Sequence, residues 1–495
     1  MNKPHNSIEA LFQKHENSWK SSYPLFRAVI ESKGLEVGAE IGVAFGGHSE
    51  TLLGSPSLKT LYGIDSYKHR EGYDDPLNLP QKNFDELCEF MRKRLSVFED
   101  RFIHIRADSK DAAAQIPEPL DFIYIDADHS YEGVWNDLCS WFLKVKEHGI
   151  IGGHDYEHVD FPGVKRAIDQ FISRFGGEVH HEGEGVWWVQ KKTSPISFFI
   201  PAYNCAATIA ESVASIFNDN FQPGDEVVIV NDGSTDDTAD VLAQLQKAHP
   251  QIKAVNHPRN KGGSAARNTA VENAKHTLLF CLDSDNLLEK ESVPKLKQYL
   301  ISTGADAAGF QELRLFEKDF ADEDQTRKWV FQTGQTTFAD VMASPHVLCA
   351  SGNYLFTKQS WVNAGGYPEF AGAYDAWGFG CRQVATGSKM MVMPNSYYYH
   401  RFGHESYMVR HSKKLNNSLS VLQIIIPFLD LIHQDDVDYI MGPKGRLTWF
   451  KNIEKRPLRM SKGEVGSGGI STLPKNDGVI KAKLYGIYKA IRKAF

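Results

Sequence analysis

The alternation of strand-like and helix-like segments starts twice in this chain, and that doubling limits the fold more than any other feature. From about Gly34, short β-rich runs are separated by helix-like stretches: "LEVGAEIGV", "TLYGIDSY", "RFIHIRAD", "LDFIYIDAD" and "GIIGGHDY". Such alternation implies a parallel sheet covered by helices. "GEGVWWVQ" (183–190) reads as its last strand, and "KKTSP" (191–195), polar and ending in proline, reads as a linker. At Ile196 the pattern begins again with "ISFFIPAYN", "DEVVIVNDGS", "IKAVNHP" and "TLLFCLDSD". Each series has its own first strand and its own glycine turn. The expected fold class is therefore α/β with two separate doubly wound domains, residues 1–192 and 193–415. A helical extension, 416–495, follows them.

A length of 495 residues agrees with two or three domains, and 42% hydrophobic residues suffice for ordinary cores. A formal net charge of −7 argues against nucleic acid as a partner. The six cysteines are scattered, with no C-x-x-C spacing, which suits buried thiols in a reducing cytosol. The start of the chain has no apolar core of a secretory signal, so the expected location is cytoplasmic. "VLQIIIPFLDLI" (421–432) is too short to span a bilayer. "SKGEVGSGGISTLPKNDG" (461–478) reads as a flexible linker. It leads into "IKAKLYGIYKAIRKAF" (480–495), with an apolar stripe at helical spacing and basic residues on the other faces. Two readings stay open for that helix: peripheral contact with the inner face of the plasma membrane, or packing on the protein or on a second subunit of a homo-oligomer.

In open α/β sheets, ligands bind at the carboxyl ends of the strands. In the second series those ends are Pro201-Ala202-Tyr203-Asn204, Asn231-Asp232-Gly233-Ser234 and Asp283-Ser284-Asp285. "NKGGSAARN" (260–268) adds Arg267 on a glycine-led helix start. A D-S-D alone is more often a turn. In register with the other strand ends it suits a nucleoside diphosphate. Pro201 and Ser284 would line that edge. Tyr203 can stack on a base, Asp232 can accept from a base N–H, and Arg267 can donate to a base carbonyl. Asp283 and Asp285 can hold a hard divalent ion, Asp285 the more directly, which neutralises the diphosphate.

These motifs, over residues 196 to about 410, resemble the family 2 glycosyltransferases of the GT-A fold. The resemblance implies a nucleotide-sugar donor (a UDP-sugar), Mn2+ or Mg2+, and inversion at the anomeric carbon. The family's base follows a "GGY" segment. Here "NAGGYPEFAGAYDAWGFGCRQVATG" (363–387) supplies Asp375, with Tyr374 where the family usually has an acid. A helix-capping role for Asp375 is the alternative. In "YYYHRFGHES" (397–406), read as a loop, His404 is the better match to the family's metal-side histidine, and His400 is the other candidate.

The first series carries "EVGAEIGVAFGGHSE" (36–50), an acid-led glycine turn with Glu40, Gly42, Gly46 and Ser49. Its spacing is not the G-x-G-x-x-G of a dinucleotide site. Asp65 stands at the next strand end, where a carboxylate can hold two ribose hydroxyls. Asp108 and Ser109 stand at the third. This combination resembles the class I S-adenosylmethionine-dependent methyltransferases over about residues 30–190, so both domains are expected to be Rossmann-like. "DFIYIDADHSYEGVWNDL" and "GIIGGHDY" point within that family to enzymes acting on small hydroxyl substrates, sugar O-methyltransferases among them. Some relatives hold Mg2+ at these strand ends. Carried over by position, the ligands would be Asp126 and Asp155, with His129 as general base and His154 as the alternative base. The relatives carry D-N where this chain has His154-Asp155, which leaves metal dependence open.

Together these resemblances imply a bifunctional enzyme of bacterial surface polysaccharide (O-antigen or capsule) biosynthesis. It would transfer a sugar to a glycan or lipid-linked glycan and O-methylate a sugar hydroxyl with S-adenosylmethionine. The alternative is a glycosyltransferase whose N-terminal domain binds or scaffolds without catalysis.

Overall fold

The first five β-rich runs form β1 (Val37–Ile41), β2 (Thr60–Ile64), β3 (Phe102–Ile105), β4 (Leu120–Ile125) and β5 (Val145–Gly153) in the computed structural model. They pair in parallel in the order β3-β2-β1-β4-β5. Two further strands, β6 (His180–Glu182) and β7 (Val186–Gln190), complete a seven-stranded sheet. The run 183–190, expected to close a parallel sheet, departs from that expectation, because β7 is antiparallel to both β5 and β6. Only residues 183–185 join β6 to β7, and a parallel crossover needs about a dozen or more. The structure describes residues 20–72, 78–117, 119–183, 185–317, 327–343, 347–402, 417–441 and 459–460. The expected linker and basic helix of 461–495 lie outside them. No helix among the described residues is long and apolar enough to cross a membrane.

Contacts within the chain divide it into units Met1–Thr193 and Ser194–Phe495. In the first unit, helix Tyr23–Lys33 buries Phe26 and Ile30, which stand four residues apart on one face. Phe26 packs on Phe122 and Tyr124 of β4, at ring-centroid distances of 5.6 and 4.7 Å. The strand order reverses between β1 and β4, so a crevice opens at their carboxyl ends.

Gly42 shows how tightly the two strands are drawn together there. The Ile41 carbonyl accepts from the Asp126 amide at 2.8 Å, and the Gly42 amide donates to Ile64 O at 2.9 Å. Gly42 has φ +94°, and a Cβ on it would lie 1.9 Å from the Asp126 carbonyl oxygen. Gly42→Ala is therefore expected to destabilise the N-terminal unit by about 2 kcal/mol or more. Calorimetry should show the transition of that unit moving down and the other staying in place. An unmoved transition would contradict the close approach.

The second unit holds β8 (Ile196–Ala202), β9 (Glu226–Asn231), β10 (Ile252–Asn256), β11 (Leu278–Cys281) and β12 (Leu287–Leu288). It continues with β13 (Ala307–Phe316), β14 (Lys328–Val330), β15 (Gly334–Thr336), β16 (Leu355–Thr357) and β17 (Met390–Arg401). The order is β10-β9-β8-β11-β16-β13-β17-β12, with β14 on β13 and β15 on β17. The first four strands are parallel, as the repeated pattern implies. Beyond β11 the sheet is mixed, because β16 pairs antiparallel with both β11 and β13. Residues 397–401, read as loop from sequence, lie in β17 and pair with β13. Their run of tyrosines suits a strand better than a loop. The order reverses between β8 and β11, which gives the second crevice. All six cysteines are free and buried.

Candidate active sites

In the first crevice, β4 runs straight into Asp126, and β5 runs into His154 and Asp155. His154 is pinned by its backbone. Its amide donates to Ile125 O at 3.2 Å, and its carbonyl accepts from Trp187 Nε1 at 3.2 Å. Asp155 takes a left-handed φ of +61°, uncommon for a residue with a side chain and found often at functional positions. His129 precedes helix Tyr131–Trp141, whose amide at Gly133 donates to the capping Ser130 hydroxyl at 3.0 Å. The His129 ring stacks on Phe161 at 4.5 Å.

These pieces converge. His129 Nε2 lies 3.0 Å from Asp155 Oδ2 and 3.4 Å from Asp126 Oδ1, and His154 Nδ1 lies 3.2 Å from Asp155 Oδ1. Burial alone would raise the Asp155 carboxyl, but hydrogen bonds and charge from both histidines hold it well below the usual range. Burial disfavours a charged His154, yet its hydrogen bond to Asp155 and the charges of Asp126 and Asp155 raise it above its usual value. Asp126, His154 and Asp155 each offer a ligand atom within 4.8 Å of the others. A cavity of about 10 Å³ is lined by Asp126, His129 and His154, room for one ion or water. Asp126 and His154 at that space, with Asp155 within reach of both, make a donor set of two carboxylates and an imidazole that fits a divalent cation.

The residues expected to hold S-adenosylmethionine are spread around the same crevice. Asp65 accepts from the amides of Ala44 at 3.0 Å and Tyr67 at 2.8 Å, and burial pushes its carboxyl above the usual range. Ala44 and Tyr67 both adopt positive φ, near +46° and +47°. Asp65 thus fixes two bent loop segments at the mouth of the glycine turn. Glu40 is buried and engaged with His48 Nδ1 at 2.8 Å and with the Ser49 hydroxyl. Gly46, φ +77°, caps the helix Gly47–Leu53. Asp108 is exposed and pairs with Lys68 at 3.2 Å. Ser109 turns to the interior, where it accepts from Trp141 Nε1 at 2.8 Å and bonds Asp137, a carboxyl that burial raises to about 6.

In the second crevice, the D-S-D loop is fixed through its backbone. Thr208 Oγ1 donates to Ser284 O at 2.9 Å, Arg401 Nε donates to Asp285 O at 3.1 Å, and the Asn286 amide closes a turn on Asp283 O at 3.1 Å. Buried Asn353 brackets Asp283: Asn353 Oδ1 accepts from the Asp283 amide at 2.7 Å, and Asn353 Nδ2 donates to Asp283 Oδ2 at 3.1 Å. Burial raises the Asp283 carboxyl, with Arg267 opposing it. Tyr203, just beyond β8, is exposed, as a stacking platform requires, and Pro201 is half-buried. The expected third ligand, His404, lies outside the described residues.

Asp232 and Arg267 are more heavily engaged than their expected contacts to a base suggest. The buried Asp232 carboxylate accepts from the Lys261 amide at 2.9 Å and the Gly262 amide at 2.8 Å, and lies 2.6 Å from His257 Nδ1. Arg267 donates from Nη1 to Asp375 Oδ2 and from Nη2 to Asp283 Oδ1, both at 2.6 Å. Desolvation opposes its charge, but Asp375 and Asp283 hold the guanidinium well above its ordinary range. Asp375 opens helix Asp375–Ala385, and its Oδ1 accepts from the Ala376 amide at 2.8 Å. Tyr374 beside it is buried, which raises its phenol to about 12.

Asn353, His257 and Phe161 escaped the sequence reading. His257 sits at the end of "IKAVNHP", so the rule that strand ends carry ligands could have found it. No local pattern marks Asn353, since its partner is 70 residues away.

A model described as a methyltransferase domain matches residues 36–156, and the glycosyl transferase family 2 model matches residues 197–364. Over 163 residues the chain is 42% identical to the chondroitin synthase of Pasteurella multocida, a match covering 30% of this chain and 16% of the synthase. Over 97 residues it is 31% identical to a poly-β-1,6-N-acetyl-D-glucosamine synthase of Staphylococcus epidermidis, covering 20% of this chain and 23% of that one. The chain thus spans less than a quarter of either synthase. The solved S. aureus TarS 1–349 in complex with UDP-GlcNAc is 18% identical, with a TM-score of 0.41, over 52% of this chain and 72% of that one. The chain therefore carries a methyltransferase domain and, after it, a family 2 glycosyltransferase domain.

Proposed function

We propose that the chain is a bifunctional enzyme of polysaccharide biosynthesis, moving a sugar from a UDP-sugar to a glycan acceptor with inversion and methylating a sugar hydroxyl with S-adenosylmethionine. The observation that carries this reading is that each crevice gathers a set of acidic and basic side chains suited to its own chemistry. The first has Asp126, His129, His154 and Asp155. The second has Asp283, Arg267 and Asp375, beside Asp285. Relatives named as polysaccharide synthases support a glycan as acceptor. Fusion of the two domains suits two reactions on one growing glycan, because linkage raises the local concentration of a shared substrate.

In sugar transfer, Asp375 takes the proton of the acceptor hydroxyl as its oxygen attacks the anomeric carbon. The bond to the diphosphate breaks on the opposite face. Mn2+ or Mg2+ held by Asp283 and Asp285 would supply charge neutralisation to the departing UDP. In methylation, His129 takes the hydroxyl proton while the oxygen lone pair bonds to the methyl carbon. The carbon–sulfur bond breaks, leaving S-adenosylhomocysteine. A divalent ion held by Asp126, Asp155 and His154 would lower the pKa of the hydroxyl. Asp65 receives the ribose hydroxyls. Phe161 keeps the His129 ring in plane for proton transfer.

Two measurements on the full chain test the proposal. UDP release from a panel of UDP-sugars with Mn2+ is expected, and Asp285→Ala should abolish it. Titration with S-adenosylmethionine should show binding that Asp65→Ala weakens about tenfold or more. UDP release without S-adenosylmethionine binding would leave the N-terminal domain as a scaffold. Binding without UDP release from any UDP-sugar would sink the glycosyltransferase half.

A further inference from the structure

The Arg267 guanidinium touches two carboxylates that the reaction assigns to opposite partners. Nη2 holds Asp283, on the donor side, and Nη1 holds Asp375, on the acceptor side, each at 2.6 Å. We propose that Arg267 is a positioning residue that ties the base to the donor carboxylate, and not a contact to the nucleobase of the donor. The inference rests on the reading of Asp375 as the base.

Four observations carry it. First, both terminal nitrogens of Arg267 are already engaged by carboxylates, and its side chain is 11% exposed, so little of the fork is left for a nucleobase. Second, each carboxylate has an anchor besides the arginine. Asn353 brackets Asp283, while Asp375 takes the Ala376 amide and lies 3.4 Å from the Ser264 hydroxyl. The bridge therefore joins two fixed points. Third, the space for it is made by a glycine. A Cβ on Gly263 would lie 2.9 Å from Arg267 Nη1 and 3.2 Å from Asp375 Oδ2. Fourth, a guanidinium is a planar fork whose N–H groups diverge at fixed angles, so it sets the spacing of the two carboxylates, which a single ammonium cannot do. Asp283 and Asp375 lie 92 residues apart in the chain and reach the crevice on different elements. Without the cation between them, buried Asp375 and half-buried Asp283 would be left as like charges with nothing between to neutralise them.

The consequence for transfer is geometric. The base has to stand in line with a donor whose diphosphate is held at the D-S-D loop. An error of about 1 Å in such alignment costs on the order of 100-fold in rate. The Arg267 fork registers one to the other before either substrate arrives.

The test uses the full chain, UDP, and a UDP-sugar that it turns over. Arg267→Ala should lower kcat by about 100-fold or more, while the affinity for UDP, read by calorimetry, changes by less than about threefold. Added guanidinium should restore part of the lost kcat in Arg267→Ala. Arg267→Lys should stay low, because an ammonium on a shorter, rotatable head does not fix the spacing of the two carboxylates as the planar fork does. Gly263→Ala leaves every charge in place but wedges the bridge. It should lower kcat without a response to guanidinium, and it carries the test if Arg267→Ala fails to fold. A fall in UDP affinity with kcat retained would overturn the proposal in favour of a nucleobase contact. Normal kcat in Gly263→Ala, or no rescue of Arg267→Ala, would reduce Arg267 to a packing role. Full activity in Asp375→Asn would instead remove the base reading beneath the proposal.

Discussion

Asp375→Asn should bind UDP as the unaltered chain does and transfer sugar ~10²–10⁴ times more slowly. The amide keeps the shape of the carboxylate, but its single oxygen can accept from the Ala376 amide or from Arg267 Nη1, which bond different oxygens of Asp375, and not from both. What it loses is the capacity to take a proton, together with the charge that Arg267 pairs with. Asp375 also opens a helix, so a capping role is the competing account. The two accounts part on stability: a cap-only residue would cost about 1 kcal/mol in unfolding and leave turnover of the folded fraction intact. Single-turnover transfer with saturating UDP-sugar, alongside thermal unfolding of the C-terminal unit, reads both quantities. Weak UDP binding in this variant would show that Asp375 supports the donor pocket instead.

The second large effect is expected at Asp155→Ala. Both histidines of the first crevice lean on this carboxylate, at 3.0 and 3.2 Å, and it is one of three groups able to share an ion. Its removal should cut methylation by ~10²–10⁴, the range for loss of an oriented acid–base group. S-adenosylmethionine binding should survive, because Asp65 and the glycine turn are separate from it. Mn2+ binding, followed by its electron paramagnetic resonance in a chain that also carries Asp285→Ala, separates two causes. Lost Mn2+ binding together with lost methylation supports an ion at Asp126, His154 and Asp155. Unchanged Mn2+ binding with lost methylation assigns Asp155 to holding His129 and His154 alone. Unchanged methylation would exclude both roles.

The parts of the fold that could be read from sequence are local. A β-rich run ending in an acid or a glycine carries its own meaning, because strand, turn and ligand-facing position follow within a few residues. That is why the crevices at Gly42 and at Asp283 were legible. The second half of the C-terminal sheet was not. β13 and β17 pair across more than 70 residues with a register shift between Phe310 and Glu312, and no single segment contains that information. The same holds inside the sites. The type of Arg267 was legible, but its partner Asp375 is 108 residues away and Asn353 meets Asp283 across 70. Asp108 and Ser109 stand where expected along the chain, yet a surface lysine and an interior tryptophan meet them. Position at a strand end sets where a side chain begins and leaves open what it touches.

Every thiol of the chain is sealed in a core. Burial raises Cys281 and Cys349 to about 12 and pushes Cys88, Cys205 and Cys381 above their ordinary range, so thiolate is scarce at neutral pH. The native chain is accordingly a blank background for maleimide dyes and spin labels. Val159, 87% exposed, lies in the N-terminal unit, and Val362, 54% exposed, in the C-terminal unit. Val159→Cys and Val362→Cys would give the chain its only open handles among the described residues. A dye pair on them would turn the distance between the N-terminal and C-terminal units into a fluorescence signal that can be followed as either proposed substrate is added.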